Sequence, residues 1–223
     1  MRKKSDPNVT QHGVGATEEP SSSSDAHSIP QTPTSMLTRS QKYQVYQNIS
    51  EDMNHWNDTE NGGDGFRIEE KPIGSHPLER YVPEEERKGI TEPIGCWATS
   101  YGWCKKEQLI DLVKEGCEEE DLDNTPLVVN ISDWYSPRFD CKVIYKLKVQ
   151  FFGKNREVIA EYKTQDQQPA GRDWFKMEHS QALPPSTRYI LFSHKGKDEQ
   201  YWAGHYGAKL TLSSVILTFP PKN

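Results

Sequence analysis

The sequence predicts an all-β protein: an antiparallel β-sandwich with one or two short helices, preceded by a disordered N-terminal tail. Three observations lead there. Val143, Tyr145, Leu147, Val149 and Phe151 fall on one face of a strand, with Lys146, Lys148 and Gln150 opposite, the two-residue period of a half-buried strand. Further short apolar stretches are separated by Gly- and Pro-rich turns, with no long helices between them, which is the pattern of a sandwich. Before about residue 40 the texture is different. Ser, Thr, Pro, Gln and Gly dominate, including the run Ser21-Ser22-Ser23-Ser24, and such a segment cannot bury enough apolar area to offset its ordering entropy.

Taken in order, residues 1–40 are expected to be the disordered tail and residues 41–60 a linker helix, with Tyr46, Ile49 and Met53 at roughly helical spacing. Asn61-Gly62-Gly63-Asp64-Gly65 marks a turn, and residues 61–223 form the sandwich domain. Phe66-Arg67-Ile68 suits a short strand, and the proline-punctuated stretch to Ile94 reads as mostly irregular. Leu109, Leu112 and Val113 fit a helical stripe, while Gln108 to Leu112 fits a strand equally well; periodicity leaves both open. Leu127 to Ile131 reads as a buried strand. Val143 to Phe152 and Glu157 to Lys163 make a hairpin around Gly153-Lys154-Asn155, and strands follow at Trp174 to His179, Tyr189 to His194 and Leu212 to Phe219.

Composition narrows the function. The 223 residues carry a net charge of -6 and 33% hydrophobic residues, with a mean hydropathy of -0.88. An acidic chain without clustered Lys and Arg argues against nucleic-acid binding. Met1-Arg2-Lys3-Lys4 is basic but no apolar run follows it, and no stretch approaches the ~18–20 apolar residues of a spanning helix. A soluble, cytoplasmic protein is expected. Cys96, Cys104, Cys117 and Cys141 lack metal-site spacing, so neither zinc nor any other cofactor is expected, and free, partly buried thiols are. In that compartment the sequons at Asn8, Asn48, Asn57 and Asn130 stay unmodified. Hydrolase, metalloprotease, P-loop and dinucleotide-binding motifs are all lacking, and the seven histidines are scattered. An enzyme is not expected.

The segment Phe192 to Val215 holds the most specific chemistry. Tyr201-Trp202 and His205-Tyr206 stand beside Gly204 and Gly207, so flat apolar faces with polar edges sit where the backbone bends. That suits stacking on a sugar ring better than bond breaking. The residues themselves leave Trp202 open between ligand stacking and plain packing. Asp133, Trp134, Tyr135 and Trp103 read as core and turn residues, His194 and His205 as hydrogen-bonded structural ones, and Glu118 to Asp123 as a mostly solvated face.

Several blocks, in order, resemble the F-box-associated domain of glycoprotein-binding F-box proteins. Trp103-Cys104-Lys105-Lys106-Glu107-Gln108-Leu109-Ile110-Asp111-Leu112 is similar to the block that opens that domain, and Gly116, Leu122-Asp123 and Pro126 continue it. Asp133-Trp134-Tyr135-Ser136 with Arg138 and Asp140, then Tyr145-Lys146-Leu147, then Arg188 to Gly196, then Tyr201 to Val215 complete the series. The resemblance implies a galactose-binding-like sandwich of jelly-roll type. It implies a module that recognises the chitobiose core of high-mannose N-glycans on misfolded glycoproteins, in quality control linked to ubiquitin-dependent degradation. On the matched motif, Trp202 would stack on a sugar, Tyr201 and Tyr101 would form aromatic walls, and Ala203 stands where some binders carry lysine. A first hydrogen-bonding loop is expected somewhere in Ser75 to Gly95.

There are departures. Cys117-Glu118-Glu119-Glu120 replaces an aromatic-Trp-Glu-Glu run, Leu183-Pro184-Pro185-Ser186 replaces a Tyr-Gly-Pro-Gly turn, and His205 replaces a tryptophan. No F-box is evident before residue 61, so a ubiquitin-ligase adaptor subunit is an expected partner only if a remnant of that module functions. This resembles the branch of nonspecific cytotoxic cell receptor proteins and implies the alternatives: a protein-interaction scaffold without sugar affinity, or an innate-immune receptor-like protein.

Overall fold

The structure, a computed structural model, describes residues 56–219 apart from 88, 89, 91 and 92. Ten strands form two five-stranded antiparallel sheets packed face to face. They are β1 (Asn57–Asn61), β2 (Arg67–Glu69), β3 (Cys96–Ala98), β4 (Cys104–Asp111), β5 (Val128–Ser136), β6 (Val143–Phe152), β7 (Val158–Lys163), β8 (Phe175–Ala182), β9 (Tyr189–Asp198) and β10 (Lys209–Thr218). Sheet one runs β1-β4-β9-β6-β7 and sheet two β2-β3-β10-β5-β8. Two short helices, α1 (Glu84–Arg87) and α2 (Glu119–Asn124), lie in the connections. This is the antiparallel sandwich that the sequence predicts, of the jelly-roll type that the resemblance implies. The expected tail and most of the expected 41–60 helix lie outside the described residues; of the part within them, residues 56–60, Trp56 is in no element and 57–60 belong to strand β1. No helix among the described residues is long and apolar enough to cross a membrane.

β6 has the predicted limits and buries every second residue. The ambiguity between a helix through Leu109, Leu112 and Val113 and a strand over Gln108 to Leu112 resolves as strand β4, which ends at Asp111; Leu109 and Val113, which would have shared a helical stripe with buried Leu112, are exposed. On β5, Val129, Ile131, Asp133 and Tyr135 point into the space between the sheets, whereas Trp134 points outward. There it packs with Leu78, Val82, Ile94, Cys96 and Trp174 in a second, smaller core under the 78–94 segment. In β10 the inward positions change parity, from Leu210 to Ser213, Val215 and Leu217. A register shift between Thr211 and Ser214 accounts for this, and Leu212 within it has φ +48°, the signature of a bulge.

The main core contains polar groups. Asp133, fully buried, accepts Tyr145 Oη at 2.6 Å and His194 Nδ1 at 2.7 Å on Oδ2, and Ser213 Oγ at 2.8 Å on Oδ1. Lys106 also points inward, its ammonium 4.3 Å from the Trp97 ring centroid and 4.6 Å from that of Trp56. Lys209 is buried against Glu69 Oε2 at 2.8 Å. All four cysteines are free and buried. The acidic stretch at α2 is less solvated than expected: Asp121 is buried, and Glu119 and Asp123 both bind the Arg188 guanidinium.

Burial pulls Lys106 down to about 7, against the attraction of Asp133 and Asp58. An unfolded lysine keeps its proton to about pH 10.4, so above pH 7 the unfolded chain binds more protons and stability rises with pH. Cys96 and Cys117, pushed up to about 12 by burial, reverse the trend once unfolded thiols ionise above about 8.5. Urea midpoints should therefore climb between about pH 7 and 8.5, and Lys106→Met should flatten the climb. Parallel profiles for the two proteins would exclude the buried ammonium as its source.

Candidate carbohydrate-binding site

Loops from four connections meet at one end of the sandwich: β1–β2 (62–66), β3–β4 (99–103), β5–β6 (137–142) and β9–β10 (199–208). The last carries Tyr201-Trp202-Ala203. Its entry is a tight turn in which Asp198 Oδ1 accepts the N–H groups of Gln200 and Tyr201, and Tyr201 takes φ +56°, a conformation a non-glycine residue keeps only where its surroundings impose it. Its exit needs glycine, since a Cβ at Gly207 would run into Thr99 Oγ1 and the carbonyl oxygens of Thr99 and Ser100.

Between these ends the loop is held by its neighbours. Gly204 N donates to Asp64 Oδ2 at 2.6 Å, Ser100 Oγ donates to Gly204 O at 2.7 Å, and Asp64 N donates to Ser100 Oγ at 2.9 Å. His205 Nε2 lies 3.2 Å from Asp64 O, and Glu199 N donates to Lys142 O at 2.9 Å. The backbone is thus fixed while its aromatic side chains stand out.

Trp202 is 43% exposed and Tyr201 68%, so neither belongs to the core. The Trp202 ring meets Tyr206 edge to face at 5.5 Å, and the Arg138 guanidinium lies 4.2 Å from the Tyr206 ring centroid, itself held by Asp140 Oδ1 at 2.8 Å. Tyr101 is half-buried on the neighbouring loop, with Gly63 packed close to its ring. Ala203 is exposed and adds no hydrogen-bonding group beyond its backbone. The structure therefore brings the loops of Tyr101 and of Tyr201, Trp202 and Ala203 together through Ser100, Gly204 and Asp64.

Sequence reasoning named Tyr206 and Arg138 but not their support of Trp202, and it gave Asp64 no role. Asp64 braces the loop from the β1–β2 connection, and the 75–95 stretch packs outside sheet two through Leu78, Val82 and Ile94. Trp103, read among the core and turn residues, lies in the β3–β4 loop and is half-buried on the outer face of sheet one. His194 and His205 are hydrogen-bonded, as expected. No group of three or more metal-ligating side chains occurs among the described residues.

Two antiparallel five-stranded sheets, with a partly exposed tryptophan on a hydrogen-bonded end loop, define a β-sandwich of the jelly-roll class. The family model for the F-box associated region matches residues 36–217, and the chain belongs to that family. It is 39% identical to bovine F-box only protein 2 over 170 residues, which is 74% of this chain and 54% of that protein. It is 37% identical to human F-box only protein 6 over 172 residues, 75% of this chain and 56% of that protein. The chain thus spans little more than half the length of these relatives. Among solved structures, TmCBM61 in complex with β-1,4-galactotriose aligns over 76% of this chain and 92% of its own, with 12% identity and a TM-score of 0.42, too distant a likeness to bear on ligand.

Because Trp202 keeps 43% of its surface in solvent, Trp202→Ala should cost less than the roughly 3–5 kcal/mol of a core tryptophan. Thermal melting should show a lowered but still cooperative transition. A loss of the folding transition would return Trp202 to the core.

Proposed function

We propose that this chain is a cytoplasmic, non-enzymatic glycoprotein-binding module that recognises the chitobiose core of high-mannose N-glycans. Trp202 supplies the stacking face, Tyr201 and Tyr101 flank it, and backbone groups of the braced loops orient the hydroxyls. One observation carries the reading: Trp202 keeps 43% of its surface in solvent on a loop whose backbone is hydrogen-bonded from both sides. Leaving a large apolar ring exposed is unfavourable, and fixing the loop beneath it lowers the ordering cost of a ligand that covers it. Family membership supports the same reading. That its relatives are named as F-box proteins supports a role in ubiquitin-dependent degradation, with misfolded glycoproteins as the cargo.

Titration with chitobiose should give modest, saturable binding, because a shallow site returns little beyond the cost of association. Trp202→Ala and Tyr101→Ala should each abolish it while the far-UV spectrum stays unchanged. No binding by the folded wild-type chain at millimolar sugar would defeat the proposal.

A further inference from the structure

A second aromatic feature lies beside the Trp202 loop, on the outer face of sheet one. Three ammonium groups gather on the Trp103 ring: Lys195 Nζ at 4.4 Å from the centroid, Lys146 Nζ at 5.0 Å and Lys197 Nζ at 5.3 Å. Register explains the gathering. Lys105 on β4, Lys195 on β9 and Lys146 on β6 stand directly opposite one another across three strands, an arrangement that repels unless it is neutralised. Each of those three has a carboxylate: Lys105 has Glu107 at 2.8 Å, Lys146 has Asp166 at 2.8 Å and Lys195 has Glu60 at 3.5 Å.

Lys197 is different. Its neighbours are the Trp103 ring, the Tyr201 ring 5.0 Å from Nζ, and the Tyr201 hydroxyl at 3.5 Å. The acids next to it in sequence are engaged elsewhere. Asp198 is buried beneath the turn and accepts the Gln200 and Tyr201 N–H groups, and Glu199 Oε1 accepts Gln168 Nε2 at 3.2 Å. Among the described residues Lys197 forms no ion pair with a carboxylate. Aromatic faces hold a cation in place without neutralising it, and partial shelter from water strengthens its pull on an incoming anion. Tyr201 ties this charge to the sugar site, since its ring belongs to both.

We propose that Lys197, bracketed by Trp103 and Tyr201 and backed by Lys195 and Lys146, is an anion subsite continuous with the stacking face of Trp202. It takes a carboxylate or phosphate borne by the same glycoprotein ligand, and it rests on the sugar reading given above. The anion has two sources. One is an acidic side chain beside the glycosylated asparagine, which joins the chitobiose directly; the other is a phosphate ester on an outer sugar of the glycan.

Calorimetric titration of the full chain at low salt separates the cases with two matched pairs. The first pair is chitobiose on a neutral peptide and on the same peptide with two flanking aspartates. The second is a neutral high-mannose oligosaccharide and its phosphorylated counterpart. One charged ligand should bind about fivefold tighter than its neutral twin, the scale of an exposed ion pair, and the pair that shows this identifies the source. The preference should fall toward one in Lys197→Gln, reverse in Lys197→Glu, and fade at about 0.5 M salt. Equal affinities within both pairs, with the neutral ligands still bound, would overturn the anion subsite alone. So would a preference that survives in Lys197→Gln. Failure of all four ligands to bind would overturn the sugar reading and the subsite with it.

Discussion

A single buried carboxyl group sets the register between the two sheets. Asp133 belongs to sheet two, yet two of its three hydrogen bonds come from Tyr145 and His194 on sheet one. A buried carboxyl group without these partners would cost several kcal/mol, so each partner has to arrive at one place. Sliding β5 by one residue would turn Asp133 into the outer layer and Trp134 into the polar cluster. Trp134 opposes that slip independently, because its outward pocket among Leu78, Val82 and Trp174 exists only in the observed register.

The same constraint reaches the loop that carries Trp202. Ser213 can donate to Asp133 only because the β10 bulge turns it inward. The bulge separates a C-terminal half, paired along β5, from a short N-terminal half bound to both β3 and β5. That N-terminal half begins at Lys209, whose ammonium is held by Glu69. Glu69 is itself kept ionised below the usual carboxylate range despite its burial, chiefly by Lys209 and by the Ile73 N–H. The loop bearing Trp202 enters β10 at this fixed point and leaves β9 at Asp198, so its two ends are pinned by core and sheet before its own contacts are made.

What the sequence reveals follows from how closely each strand keeps to the simple rule of one apolar face. β6 obeys it, and its limits could be read directly. β4 hides a lysine at an inward position, which breaks the apolar period and makes helix and strand look alike. β10 was legible only from Leu212 onward, since the bulge between Thr211 and Ser214 shifts the parity of the strand. β1, exposed at all five residues, has no burial pattern to read. In the site, Tyr201 and Trp202 were legible because glycines flank aromatics there. Asp64 was not, because its role is to cap a backbone N–H 140 residues away, and nothing local in sequence encodes such a contact.

The magnitude of the exposed surface bears on how the site must work. With 43% of its area uncovered, Trp202 offers roughly 100 Å² of apolar face, worth about 2–3 kcal/mol if a ligand covers it fully. Association costs at least about 4 kcal/mol in lost translational and rotational freedom. Stacking on Trp202 alone therefore cannot hold a disaccharide, and the remainder has to come from groups already positioned around it. Tyr201 and Tyr101 add apolar surface, and hydroxyls of the sugar need donors and acceptors that do not have to be ordered on binding. A backbone braced by Asp198, Asp64 and Ser100 meets that last condition, so in the proposed recognition the hydrogen bonds beneath the loop matter as much as the ring above it.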